Sequence, residues 1–432
     1  MPINYVVLAI PVFLFLILLE LLITRIQEKD YYRFSDSIND LSCGIIDQLL
    51  EVFLKTALFA GYIFVYERYR LSTIPWSVGA WVLCFLGVDF LYYWFHRTSH
   101  EVNAFWAAHV VHHQSEEYNL AVALRQGALQ SSFSWVFYLP LALIGFPPLM
   151  FLTVSSIDTL YQFWIHTRAI GRLGPLEHVL NTPSNHRVHH GRNPKYIDRN
   201  HGGILIVWDR LFGTYQREEE EPAYGITTPL SSWNPVWANL HYWVELAAKA
   251  RRTSRIADKV RVFLKPPGWQ PADLGGFVPA PEVDPGYVKY EAAAAGGLAL
   301  YVFVQFVVVL GAATALLFRQ NDLGPGPRGA AAAAIVVTLV ALGGLLERKE
   351  WAFSLEAFRI CVVAIATIVA ARTSTRSVTT SMFVAAAALC LLAWLMRHRV
   401  AMSTPQALAA PPRTSTAARH PSWNGYETRK WL

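Results

Sequence analysis

Long apolar runs alternate with short polar breaks along this chain. The runs lie at about 4–23, 46–66, 78–95, 131–152, 150–166, 296–318, 329–346, 356–372 and 378–396. A helix needs roughly 20 residues to cross the hydrocarbon core of a bilayer, so runs of this length predict membrane-spanning helices. The run at 131–152 is interrupted by Gly145, Pro147 and Pro148. The first run has neither a basic leader nor a small-residue cleavage site, which predicts an uncleaved anchor rather than a signal peptide.

The polar breaks divide the chain. Residues 1–75 form an N-terminal transmembrane region and 76–230 a histidine-bearing segment. Residues 231–290 read as interfacial or cytosolic, 291–400 as a block of C-terminal transmembrane helices, and 401–432 as a disordered tail. The stretch 171–290 is too polar to span and long enough to build a cap. Basic residues mark loops held in the cytosol. They follow the first span in "TRIQEKDYYR", the third in "HRTSH" and the fifth in "HTRAIGR", whereas "LIGFPP" has none. All histidine segments then face the cytosol. The expected fold class is all-α and integral to the membrane: a polytopic helical bundle with a cytosolic histidine-rich helical cap and extra C-terminal transmembrane helices.

Composition sharpens this. The chain is 53% hydrophobic and only 16% charged, so a soluble globule is excluded. Its net charge of +6 sits mainly in loops and reads as topology and attraction to lipid, with no nucleic-acid partner. The basic stretch "KARRTSRIADKVRVFLK" follows the aromatic "WNPVWANLHYWVELA". It reads either as an amphipathic segment on an anionic bilayer face or as a solvated helix face. Cys43, Cys84, Cys361 and Cys390 lie in or beside apolar segments without a CxxC pair, as small buried apolar residues do.

Candidate chemistry concentrates in histidine. Eleven of fourteen histidines fall between 96 and 201. His96 and His100 are spaced i, i+4; His109, His112 and His113 are spaced i, i+3, i+4, and His186, His189 and His190 repeat that spacing. Such positions share a helix face, so each triplet is expected to aim its imidazoles at one point. Neutral imidazole suits Fe, Zn, Cu and Ni, and eight boxed ligands suit two metals better than one. Unpaired, eight ionisable groups together would repel one another. His166 lies between the boxes. His178 and His201 stand alone and are doubtful ligands, while His241, His398 and His420 read as ordinary hydrogen-bonded or interfacial residues. Asp89 lies on the helix face of His96, and Asp158, Gln162 and His166 form an i, i+4, i+8 stripe. Ionisable groups inside a span are costly, and a carboxylate there can accept the second imidazole N–H of a ligand, or bond polar side chains between helices.

HxxxH, HxxHH and a later HxxHH on a polytopic apolar chain resemble the fatty acid hydroxylase/sterol desaturase superfamily of membrane-bound, histidine-ligated di-iron enzymes. "DFLYYWFHRTSHEVNAFWAAHVVHHQSEEYNLAVALRQ", "QFWIHTRAIGRLGPLEHVLNTPSNHRVHHGRN", "GILIVWDRLFGTYQ" and "AYGITTPL" are similar to the alkylglycerol monooxygenase family within it. The match runs over about 85–230 and makes 76–230 a catalytic domain. The resemblance implies an O₂-dependent di-iron lipid monooxygenase that uses tetrahydrobiopterin and cleaves the ether bond of alkylglycerols. It assigns His96, His100, His109, His112, His113, His166, His186, His189 and His190 to two irons. Asp89, Glu101 and Asp158 are catalytic or ligand-orienting candidates; Glu101 marks the subgroup, orienting a ligand or contacting pterin. Tyr118, Asn119, Arg125 and Gln126 are implied to line the site. Asn185 replaces a histidine and His201 an aromatic of many relatives. The implied partners are a bilayer lipid, the membrane and a pterin or other electron donor. The implied location is the endoplasmic reticulum in a eukaryote or the cytoplasmic membrane in a bacterium. The rival readings are a sterol or fatty-acid hydroxylase or desaturase with another electron donor, a membrane metal transporter or sensor, and a structural membrane protein that has lost its metal.

Overall fold

The computed structural model describes residues 5–291, 296–373 and 378–399; the tail expected at 401–432, with His420, lies outside the described residues. Helices run in the order α1 Tyr5–Ile26, α2 Phe34–Tyr69, α3 Val78–Glu101, α4 Asn103–His113, α5 Gln130–Ser134, α6 Leu139–Ile144, α7 Pro148–Trp164 and α8 Pro183–His189. They continue as α9 Val207–Phe212, α10 Pro235–Arg252, α11 Ile256–Leu264, α12 Gly297–Arg319, α13 Pro325–Leu346, α14 Glu350–Thr373 and α15 Val378–Arg397. Among the described residues, the β-structure is one isolated antiparallel bridge, Leu180 to Leu205, in the cap.

Among the described residues, seven helices, α1, α2, α3 and α12 to α15, are long and apolar enough to cross a membrane. The protein is therefore a multi-pass membrane protein. The two apolar runs at 131–152 and 150–166 behave differently from expectation. Pro140 opens α6 and Gly145, at φ 111°, closes it after six residues. A left-handed residue ends the helix, and the prolines that follow supply no N–H to resume it. Pro148 then starts α7, which is only 17 residues long, or roughly 25 Å. These short helices fill in beside α2 and α3 rather than spanning alone.

α3 begins at a Ser77 cap whose hydroxyl accepts from the Ala80 N–H, and packs against α4 and α7. Tyr62, Cys84, Val88, Leu141, Met150 and Val154 form the apolar core between α2, α3, α6 and α7. A separate core around Leu298, Tyr301, Leu339 and Leu342 joins α12–α15 to Ile38, Ile45 and Leu49 of α2. α2 is 36 residues long, and its first half carries buried Asp36, Asn39, Asp40, Ser42 and Asp47. That polar end holds the cap, and the apolar remainder spans. The interfacial segment packs α10 and α11 onto α4, where Asn103 donates to Val262 O and accepts from the Tyr242 hydroxyl. Trp237, Leu240, Val244, Ile256, Val260 and Leu264 of this pair point outward and are exposed. An apolar outer face favours the bilayer reading of this segment over a solvated one.

Candidate metal centre

α3 delivers His96 and His100 at its polar C-terminal end, and one extended residue, Val102, turns the chain straight into α4. That corner lays His109 and His113 against His96 and His100. α8, opened by Pro183, supplies the third box, and the residues just past α7 bring His166. Nine buried histidines result, in two groups. His96, His100, His109, His113 and His189 offer ring nitrogens that all lie within 4.8 Å of one another, and so do His112, His166, His186 and His190.

The grouping corrects the expectation that each triplet aims at one point. Each HxxHH box is split: His112 leaves its box for the second group, and His189 leaves its box for the first. Helix geometry explains it. At 3.6 residues per turn, positions four apart differ by about 40°, but adjacent positions differ by about 100°. His109 and His113 therefore stay together while His112 diverges; His186 and His190 stay together while His189 diverges.

Ring orientation is set from outside. The Nδ1–H of His96 donates to His201 O at 2.8 Å, of His109 to Gln130 Oε1 at 2.7 Å, of His112 to Arg125 O at 2.8 Å, of His166 to Gln162 O at 2.7 Å and of His189 to Arg199 O at 2.9 Å. An acceptor-only oxygen at Nδ1 leaves the Nε2 lone pair free and pointed inward. Nε2 of His109 is 3.1 Å from that of His96 and 3.2 Å from that of His113; Nε2 of His166 is 3.2 Å from that of His112 and 3.0 Å from that of His186. Lone pairs held face to face at this spacing in a dry interior suit a shared cation. The Nε2 atoms of His100, His189 and His190 are buried with no hydrogen-bond partner at all. Burial, reinforced by the neighbouring imidazoles, holds His112, His113, His186, His189 and His190 well below the usual histidine range, and burial brings His109 down to about 4. The rings are thus neutral at physiological pH, as ligation of a metal requires.

The carboxylates lie elsewhere. Asp89 accepts from Ile204 N and the Trp208 indole, both at 2.7 Å, and so pins the loop whose His201 carbonyl orients His96. Asp158 lies against Asp89 and accepts from Gln162, whose main chain orients His166. Both act through backbone and amide groups rather than on an imidazole. Glu101 accepts from Arg97 at 3.0 Å and belongs to neither histidine group.

Of the expected lining residues, Tyr118 stacks on His166 at 5.7 Å and lies tilted to His190 at 5.1 Å, and the Gln126 amide is 3.4 Å from His112 Nδ1. Arg125 contributes its carbonyl, while its side chain runs away to α2. Asn119 turns to Tyr31 O and Ala121 N. Asn185 bonds the Leu180 carbonyl, away from both groups. His178 is exposed and apart. His201 is fully buried with its ring 5.2 Å from that of His100, and neither ring nitrogen is hydrogen-bonded; it adjoins the five-histidine group without joining it. Sequence reasoning missed Gln130, whose only role visible from sequence is that of an amide near a turn.

Comparison with known proteins is decisive at this point. An alkylglycerol monooxygenase of Homo sapiens is 41% identical over 366 residues, covering 82% of this chain and 81% of its own length. One from Danio rerio is 40% identical over 365 residues, covering 83% and 81%. The chain belongs to the alkylglycerol monooxygenase family. The fatty acid hydroxylase family model matches residues 81–214, which carry every member of the two histidine groups. A more distant relative, the ornithine lipid hydroxylase OlsE of Rhizobium tropici, is 30% identical over 135 residues, 31% of this chain and 41% of its own. No solved structure matches. Like the rest of the family, the protein is an oxidoreductase, a membrane lipid monooxygenase, and the histidine groups are consistent with the use of iron.

Proposed function

We propose that this alkylglycerol monooxygenase family member is a di-iron enzyme that oxidises the ether-linked carbon of alkylglycerols. The observation that carries this reading is the division of nine buried, inward-facing imidazoles into two adjacent groups. His96, His100, His109, His113 and His189 would hold one iron, and His112, His166, His186 and His190 the other. Iron supplies O₂ reduction and attack on an unactivated C–H bond, which side chains alone do not perform. One oxygen atom enters the carbon next to the ether oxygen and the other leaves as water, with two electrons from a tetrahydropterin. The hemiacetal so formed falls apart to a fatty aldehyde and a glycerol.

The chain's own groups set the stage. The five Nδ1 acceptors fix the rings, the low-dielectric cap excludes water, and the groups sit where α3 leaves the bilayer, so a lipid enters sideways while a polar reductant arrives from the cytosol. Residues 76–230 form the catalytic domain, on the cytosolic face of the endoplasmic reticulum or of a bacterial cytoplasmic membrane. Purified full-length protein is expected to carry two irons and to convert alkylglycerol to aldehyde only with O₂ and tetrahydropterin; His112→Ala is expected to form no product. Product from His112→Ala would sink the ligand assignment, and turnover indifferent to pterin would move the reading to a hydroxylase or desaturase fed by another donor.

A further inference from the structure

Outside the histidine groups, the polar cap holds a cavity of about 310 Å³ whose walls include Tyr31, Arg168, Arg187, Glu218, Glu221 and Tyr224. That size lies within the range of small-molecule sites. Tyr224 is only 7% exposed, and its hydroxyl has no hydrogen-bond partner, although a buried tyrosine ordinarily finds one. Its ring stacks on Tyr118 at 4.9 Å and 11°, and Tyr118 in turn stands 5.1 Å from His190. A single tyrosine ring therefore separates the cavity from the four-histidine group.

The charges select the occupant. Three arginines and four consecutive glutamates line the cavity. Arg187 is held by both oxygens of Glu218 at 2.7 Å, and Arg168 donates to Glu117 at 2.7 Å. Lys195 lies 3.5 Å from Glu219 and 3.1 Å from Glu220. The Glu221 main-chain carbonyl accepts from the Asn193 amide at 3.4 Å, while its carboxylate has no hydrogen bond or ion pair among the described residues. Three arginines facing four glutamates leave the lining without net positive charge, which disfavours a phosphate or other anion. The cavity suits a group rich in N–H donors. Arg168 lies 4.1 Å over the Tyr31 ring and 5.7 Å from that of Tyr224, giving a wall of flat faces for stacking.

We propose that this cavity binds the pterin reductant: the ring stacks on the Tyr31–Arg168–Tyr224 wall, and Glu221 accepts from its amino and ring N–H groups. The proposal rests on the pterin-dependent reading above and assigns the pterin to residues other than Glu101, which does not line the cavity. It is tested by equilibrium dialysis of 7,8-dihydrobiopterin against the iron-loaded full-length protein, comparing wild type with Glu221→Gln and Tyr224→Leu. Loss of a hydrogen bond to a charged group predicts binding about 10-fold weaker in Glu221→Gln, with iron content unchanged. Tyr224→Leu is expected to bind at least as poorly. Because Glu221 is exposed, its variant keeps the fold even where loss of the Tyr118 stack disturbs that of Tyr224→Leu. Wild-type affinity in Glu221→Gln, displacement by millimolar phosphate, or no binding by wild type would each overturn the proposal. Aldehyde formed by wild type with ascorbate in place of pterin would then show that the monooxygenase reading stands without it; no product with either reductant would remove both.

Discussion

Arg125 was expected to line the active site, and its environment predicts something different. It is 2% exposed; Nε donates to Val111 O at 2.6 Å, Nη2 to Gln114 Oε1 at 2.6 Å and Nη1 to Asp40 Oδ1 at 3.1 Å. Asp40 is itself fully buried. Arg125→Met leaves that carboxylate without its cation, which costs roughly 3–5 kcal/mol when a buried pair loses one member. For a chain of this length, with an unfolding entropy of about 2 cal/mol/K per residue, the unfolding midpoint falls by on the order of 3–5 °C. The assay is thermal unfolding of the full-length protein in detergent, paired with iron content. The Arg125 carbonyl that orients His112 is main chain and survives the substitution, so the folded fraction keeps its iron. Asp40→Leu added to Arg125→Met removes the stranded charge and is expected to recover at least half of the lost midpoint, since apolar replacement of a whole buried pair is often neutral. An unshifted midpoint in the single variant, or a double variant no better than the single, would refute the reasoning. Iron lost from a fully folded single variant would instead give Arg125 a part in the metal site.

Three other outcomes follow from the geometry. Gln130→Leu removes the acceptor for His109 Nδ1–H; iron affinity is expected to fall about 10- to 100-fold with the fold intact, and an unchanged metal titration would exclude that role. Gly127→Ala would place a methyl 1.9 Å from the Ala108 carbonyl oxygen, so α4 and its three histidines must shift; little folded protein is expected in membranes, and normal yield with normal activity would contradict the packing. Metal-free protein should lose stability on acidification. The folded-state value of His109 is about 4 against an ordinary 6.5, so the unfolded chain binds the extra proton first, and stability present above 6.5 is lost as pH falls towards 4. Up to about 3 kcal/mol is at stake at that one residue; an unfolding midpoint that stays flat from pH 7 to 4 would rule it out.

Much of the architecture could be read before folding. Apolar runs of membrane length set the multi-pass helical class, and the two runs that failed to become long helices contain the Gly145, Pro147 and Pro148 breaks already visible in them. The sequence by itself also determined the inventory of the site. It concentrated eleven histidines between 96 and 201 and spaced eight of them at helical intervals, which no packing could add later.

Only the tertiary structure decided how that inventory is shared. Whether His112 faces His109 or His166 depends on how α4, α8 and the end of α7 are docked, because one box spans about 100° of helix surface and serves two directions. The acceptors that orient the rings are invisible for the same reason: His201 O, Arg199 O and Gln130 lie on other segments, and four of the five are main-chain carbonyls, which every residue has. Asp89, read as a partner for an imidazole, grips instead a loop more than a hundred residues away. Residue type and spacing fix which ligands a chain owns; which ligands meet is fixed by the packing of distant helices, whose driving force is apolar burial spread over many side chains and written at no single position.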